Sequence, residues 1–156
     1  MSQWNEEDAR AEIKPHAAEP GGLMPALHAL MARFRYIDQA ALPLLADIFN
    51  LSRAEVHGVV SFYHDFRRQP PGRHVIKICQ SEACQAMGSR GLTRHAMQVL
   101  GIDFGDTTPS GDFTLEAVYC LGNCAATPAL MIDDRVVGRV DAKRFDALLA
   151  ELEVQE

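Results

Sequence analysis

Cys79, Cys84, Cys120 and Cys124 are the only cysteines in this chain, and their spacing points to chemistry. They read C-x4-C, then 35 intervening residues, then C-x3-C. Clustered thiolates bind zinc or iron, exchange with disulfides, or pair with one another. Small residues stand around them: Ser81, Gly88, Gly91, Gly122 and Ala125. An iron–sulfur cluster carries bridging sulfides that need close approach by backbone N–H groups, and small side chains permit it. A single zinc ion needs less room and is usually gripped by tighter C-x2-C knuckles. The wider loops suit a two-iron rhomb better than zinc, and zinc better than free thiols or a disulfide. A thiol–disulfide oxidoreductase normally sets its thiols in C-x-x-C at a helix N-terminus, a spacing neither pair has.

Four ligands form one site only if two loops converge, so the elements that carry them matter. His74-Val75-Ile76-Lys77-Ile78 alternates with a period near two and reads as a strand running into Cys79. Phe113, Leu115, Ala117 and Tyr119 alternate in the same way and lead to Cys120. If these strands lie side by side, all four thiols emerge at one edge of a sheet. Leu92, Ala96, Val99 and Leu100 mark a helix between them, stopped at Gly101. Ala129–Ile132 and Arg135–Val140 flank Asp133-Asp134, which suits a tight hairpin. Asp141 caps a last helix with Phe145, Leu148, Leu149 and Leu152 inward.

The chain before this part has a different pattern. Residues 1–20 are polar, contain Pro15 and Pro20 and carry five acids against Arg10 and Lys14, which predicts a flexible acidic arm. Leu23, Ala26, Leu27, Leu30, Met31 and Phe34 make one helical face. A second helix follows Asp38, with Leu45, Ile48 and Phe49 inward and Pro43 near its start. Ser52-Arg53-Ala54-Glu55 reads as a capping box for a third, with Val56, Val59, Val60 and Tyr63 on one face. Gln69-Pro70-Pro71-Gly72 breaks the helical pattern and predicts a linker. The expected organisation is an arm over 1–20, a helical domain over 21–69 and an α/β domain over 73–156.

Composition narrows the function classes. The 156 residues are 47% apolar and 23% charged, which allows a real core. The net charge of −6 sits at the two ends, and the middle balances 11 acids with 11 bases. No basic face is implied, so no nucleic-acid partner is expected. No run of 18 apolar residues exists, so no direct membrane insertion is expected. The N-terminus has neither a signal-peptide nor a transit-peptide pattern, which predicts a cytoplasmic protein. In a reducing cytosol the cysteines are ligands rather than disulfides. Gly21-Gly22 precedes a helix but follows no strand, so it is no dinucleotide loop, and the chain should not itself bind NAD or FMN.

The stretches Val59-Val60-Ser61-Phe62-Tyr63-His64-Asp65-Phe66, Pro71-Gly72-Arg73-His74, Cys79 with Cys84, Phe113-Thr114-Leu115, Cys120-Leu121-Gly122-Asn123-Cys124 and Pro128 resemble the 24-kDa-type subunit of respiratory complex I. The resemblance covers roughly residues 21–150. It implies an α/β (α+β overall) fold: an N-terminal three-helix domain followed by a thioredoxin-like [2Fe–2S] ferredoxin domain. Cys79, Cys84, Cys120 and Cys124 take the positions of the cluster ligands. Ser81-Glu82-Ala83-Cys84-Gln85-Ala86-Met87-Gly88 and Leu51 to Val60 are most similar to the gamma subunit of soluble NAD-dependent formate dehydrogenases. The implied function is an electron-transfer subunit with one [2Fe–2S] cluster. It would exchange single electrons with the FMN of a partner NAD-binding flavoprotein. A further partner would hold a molybdenum or tungsten pterin and oxidise formate. The equivalent subunit of complex I or of an NAD-linked hydrogenase is the alternative. A zinc-stabilised assembly module without redox role is the alternative of a different class. In thioredoxin-like folds a cis-proline precedes a strand, and Pro128 is the candidate, with trans the default isomer.

Other residues have weaker claims. Arg90 is the nearest base after Cys84, and a solvated helix-start role is its simpler reading. Glu82 and Gln85 are close to the thiols in sequence but would supply harder donor atoms. His74 lies a strand's length from Cys79, so a Rieske-type ligand role is disfavoured. His57 and His64 read as surface or inter-domain contacts. Phe62, Tyr63 and Phe66 form either a docking patch or helical-domain packing, and Arg67, Arg68 and Arg73 a basic group at the linker.

Overall fold

In the computed structural model, which describes residues 4–154, the chain divides after Pro70 into two units. The first unit is helical. Helix α1 (Glu6–Ile13) starts at Asn5, whose side chain accepts a hydrogen bond from the Asp8 N–H at 2.7 Å. Glu6, Glu7 and Asp8 fill its first turn, where the helix dipole favours negative charge. This corrects the expected flexible arm: Ala9 and Ile13 are fully buried, and the Trp4 ring lies 5.2 Å from that of Phe34. Average polarity hid an apolar pair at i, i+4 that needs a partner. Arg33 on α2 (Leu23–Phe34) also reaches Asp8 Oδ2 at 2.6 Å. Residues 1–3 of the expected arm lie outside the described residues.

Helix α2 buries Ala26, Leu27, Leu30 and Phe34, the predicted face. Asp38 stands three residues ahead of α3 (Ala41–Phe49), and its Oδ1 accepts from the Ala40 N–H at 2.8 Å. Leu44, Leu45 and Ala46 are buried, whereas Ile48 and Phe49 are only half-buried. Helix α4 (Arg53–Phe62) has both halves of its capping box. It ends before Tyr63, which leaves Phe62 and Tyr63 exposed while Phe66 is buried.

The second unit is a four-stranded sheet in the order β2-β1-β3-β4 with helices α6 and α7 on one face. Strand β1 is His74–Cys79, β2 is Phe113–Val118, β3 is Ala129–Ile132 and β4 is Arg135–Gly138. β1 and β2 are parallel, with Ile76 beside Leu115 and Cys79 beside Val118. β3 runs antiparallel to β1, and β4 to β3. Ile76, Ile78, Leu115, Leu130 and Ile132 share a face by register and meet Leu92 and Ala96 of α6 (Ser89–Leu100) and Phe145, Leu148 and Leu149 of α7 (Ala142–Val154). Val99, expected inward, is exposed, and Met97 joins the core instead. Asp141 Oδ1 accepts from the Arg144 N–H at 2.8 Å and caps α7. β2 stops at Val118, so Tyr119 lies outside the ladder and is exposed. The short helix α5 (Glu82–Ala86) went unread in the sequence. Among the described residues no helix is long and apolar enough to cross a membrane.

Replacing Ser52 with Ala removes the α4 cap and is expected to cost about 1 kcal/mol. Thermal unfolding and faster amide exchange at the start of α4 would read it. The Ser52 N–H, then its hydroxyl, hold the Glu55 carboxyl below the usual range. A depressed carboxyl stabilises above its unfolded pKa, so the advantage of wild type over Glu55→Gln should be complete at pH 6. It should shrink as pH falls below about 4.3.

Candidate metal centre

Two loops leave the same end of the sheet because β1 and β2 are parallel. One leaves β1 directly at Cys79 and turns through α5, which carries Cys84. The other leaves β2 and carries Cys120 two residues past the strand, then Cys124 on a 3-10 turn (Cys124–Ala126). The predicted convergence is observed. The Cys79 and Cys84 thiols are close neighbours that influence each other's ionisation, the Cys124 thiol is influenced by Cys120, and Cys124 lies close enough to Cys79 to feel its charge. No disulfide joins any of them.

The two pairs differ in surroundings. Cys79 and Cys84 are each 2% exposed and pack with Ala129, Val118 and Leu121. Cys120 and Cys124 are exposed. Burial pushes the Cys79 thiol up, but the Ser81 hydroxyl and N–H, the Cys84 thiol and the Leu121 N–H outweigh it and bring it below its ordinary value. Cys84 moves up, first by burial and then by its Cys79 neighbour, against the Ala129 N–H. Cys124 moves up mainly because of the neighbouring Cys120 thiol. Within the buried pair, Cys79 is therefore the readier of the two to lose its proton.

Backbone donors reach the sulfurs from both loops. Gly122 has φ +72°, a conformation that suits glycine, and its N–H points at Cys120 Sγ at 3.3 Å. The first loop is tied down by side chains, of which the sequence singled out Gln85 but not Ser89 or Gln80. Buried Ser89 donates its hydroxyl to the Cys79 carbonyl at 2.5 Å. Gln80 pairs its N–H with the Val118 carbonyl at 2.7 Å and its amide with Thr93 Oγ1 at 3.0 Å. Gln85 returns its amide to the Gln80 carbonyl at 2.6 Å. The only cue to these ties was the run of short polar residues after the first strand, which a helix start also explains.

The second loop is clamped by the far edge of the sheet. Gly138 on β4 lies so close that a Cβ there would sit 2.6 Å from the Ala126 carbonyl oxygen and 2.7 Å from Asn123 Nδ2. The Arg139 N–H donates to the Ala126 carbonyl at 2.8 Å and the Val140 N–H to that of Pro128 at 3.0 Å. The Thr127–Pro128 bond is cis.

The remaining candidates fall away from the thiols. Arg90 donates twice to Gln85 Oε1, at 3.1 and 2.8 Å. His74 sits at the opposite end of β1 and meets Asp133 Oδ2 at 2.8 Å. His57 and His64 are exposed in the helical unit. Among the described residues no group of three or more His, Cys, Asp or Glu is placed to hold a single metal ion. The donor set is four thiols on two loops with N–H groups aimed at sulfur, which fits residues that would hold an iron–sulfur cluster.

Comparison with known proteins gives a consistent result. The model of the family described as thioredoxin-like [2Fe-2S] ferredoxin matches residues 9–153. The chain is 39% identical over 140 residues to a subunit of the NADH-quinone oxidoreductase of Pseudomonas aeruginosa, an alignment covering 90% of this chain and 84% of that protein. It is 34% identical over 131 residues to the HndA subunit of the NADP-reducing hydrogenase of Solidesulfovibrio fructosivorans, covering 84% and 77%. A chain in the crystal structure of an air-oxidized NAD+-reducing [NiFe]-hydrogenase superposes with a TM-score of 0.72 at 30% identity. That superposition covers 86% of this chain and 23% of the hydrogenase chain, so this chain spans about a quarter of its length.

In metal-free protein, Cys120 and Cys124 are expected to react with iodoacetamide well before Cys79 and Cys84, because burial denies the reagent access to the first pair. Time-resolved peptide mass spectrometry would read it, and equal rates at all four would contradict the burial asymmetry.

Proposed function

Because the chain belongs to the thioredoxin-like [2Fe–2S] ferredoxin family, whose cofactor is one [2Fe–2S] cluster, we propose that Cys79, Cys84, Cys120 and Cys124 are its four ligands and that the chain is an electron-transfer subunit. The carrying observation is that both cysteine pairs stand on loops leaving the same end of two parallel, adjacent strands. The cluster supplies one-electron redox chemistry, with a charge of about −2 when oxidised and about −3 when reduced.

The chain's own residues do the rest. All four thiols give up their protons on binding metal. Cys79 and Cys84 hold their side in an apolar pocket, where Leu121, Val118 and Ala129 limit water. Gly122 offers its N–H to Cys120, which favours negative charge on that sulfur. Cys120 and Cys124 are exposed, so a redox partner docking against that edge would reach them without crossing the sheet.

The partner in this reading is an NAD-binding flavoprotein whose FMN exchanges single electrons with this chain. Three host assemblies follow from different observations. The stretches Leu51–Val60 and Ser81–Gly88 support a soluble NAD-dependent formate dehydrogenase, with a molybdenum- or tungsten-pterin subunit as a further partner. The similarity to an NADH-quinone oxidoreductase subunit and to a hydrogenase subunit supports those complexes equally.

Anaerobically purified chain is expected to hold about two irons and two acid-labile sulfides. It should be EPR-silent when oxidised and show a rhombic S = 1/2 signal after dithionite. Cys→Ala at any of the four positions should abolish or destabilise that signal. A colourless protein with one zinc and no sulfide, from iron-replete cells, would replace the redox reading with an assembly module. Proteins co-purifying with the tagged chain from its own cells, assayed for NAD reduction by formate and by hydrogen, would separate the hosts.

A further inference from the structure

Ser81 occupies an N-cap position yet does not cap. It precedes α5 with extended backbone, φ −76° and ψ 162°, where a serine oxygen ordinarily accepts from the first helical N–H groups. Its side chain makes no such bond. Its Oγ lies 3.2 Å from Cys79 Sγ instead. The loop does not need that contact to keep its shape. Ser89 anchors the Cys79 carbonyl, Gln80 anchors to Val118 and Thr93, and Gln85 closes back onto Gln80.

In a metal-free thiol either atom of this pair can donate. Once Cys79 has lost its proton to bind iron, only the Ser81 hydroxyl has a hydrogen to give. A hydrogen bond to a ligand sulfur stabilises negative charge there, and more so when the charge is larger. Cys79 is buried, so water does not offer an equivalent donor. Hydrogen bonds to the sulfurs are among the properties that set cluster potentials.

We propose that Ser81 is a positioning residue for electron affinity: its hydroxyl, donated to Cys79 Sγ, raises the reduction potential of the [2Fe–2S] cluster. This rests on the ligand assignment above. The step is the uptake of one electron by the oxidised cluster, with no bond to Ser81 formed or broken and its proton retained. The electron comes from the flavoprotein partner in the assembly and from dithionite in the test.

The test is a redox titration of the full chain followed by EPR, which reads only the loaded fraction. Ser81→Ala and Ser81→Val lack the hydroxyl, and Ser81→Thr keeps it. Thr and Val match in volume, so that comparison isolates the hydroxyl. The expected result is about a tenfold fall in the reduced-to-oxidised ratio at fixed potential for S81A and S81V, equal to about 59 mV for a one-electron couple. S81T should titrate with wild type. Coincident midpoints for S81A, S81V and wild type would overturn the proposal, whether or not the variants also load less iron. Wild type without iron and sulfide would instead defeat the ligand assignment, so the two failures are distinguishable.

Discussion

Parallel pairing of β1 with β2 is the constraint on which the site rests. Side-by-side parallel strands end at the same edge, and their in-register ladder puts Cys79 beside Val118. The loops that follow therefore start from adjacent points, although 35 residues separate Cys84 from Cys120. A parallel pair needs a long crossover, and α6 provides it while covering the face that carries Ile76, Ile78 and Leu115. Had the pair been antiparallel, the two cysteine loops would have emerged at opposite ends.

On this frame the chain builds an asymmetric set of donors. One thiol pair is closed in by Leu121, Val118 and Ala129, and the other opens to solvent. Buried sulfurs gain from fixed donors because water is kept away, whereas exposed ones have water as a competing donor. The same divide separates the ties that hold the loops. Side chains such as Ser89 and Gln80 fasten the inner loop, whereas backbone bonds from Arg139 and Val140 fasten the outer one.

Much of this was legible in the residues. Alternation marked the two strands that lead to the cysteines, Asp133-Asp134 marked the hairpin, and the short cap signals at Ser52 and Asp141 marked two helix starts. The four cysteines were conspicuous because nothing else in the chain has ligand-type spacing. What was hidden has physical reasons. Helix α1 buries only Ala9 and Ile13 within a charged segment, so average polarity masked its apolar stripe. Helix α5 has five residues, too few to show a period. Tyr119 continues the β2 alternation, but pairing ends at Val118 and the loop turns away. Ser81 showed in the sequence only as a small residue, since the target of a hydroxyl depends on the turn that aims it.

The close approach of Gly138 to Asn123 and Ala126 bears on the order of biosynthesis. The chain leaves the ribosome with both cysteine pairs made before β4 exists. Until that edge strand folds back, the Cys124 loop lacks the surface that shapes it, however complete the first pair is. The shape of the Cys124 loop is thus a property the chain acquires only once β4 is in place.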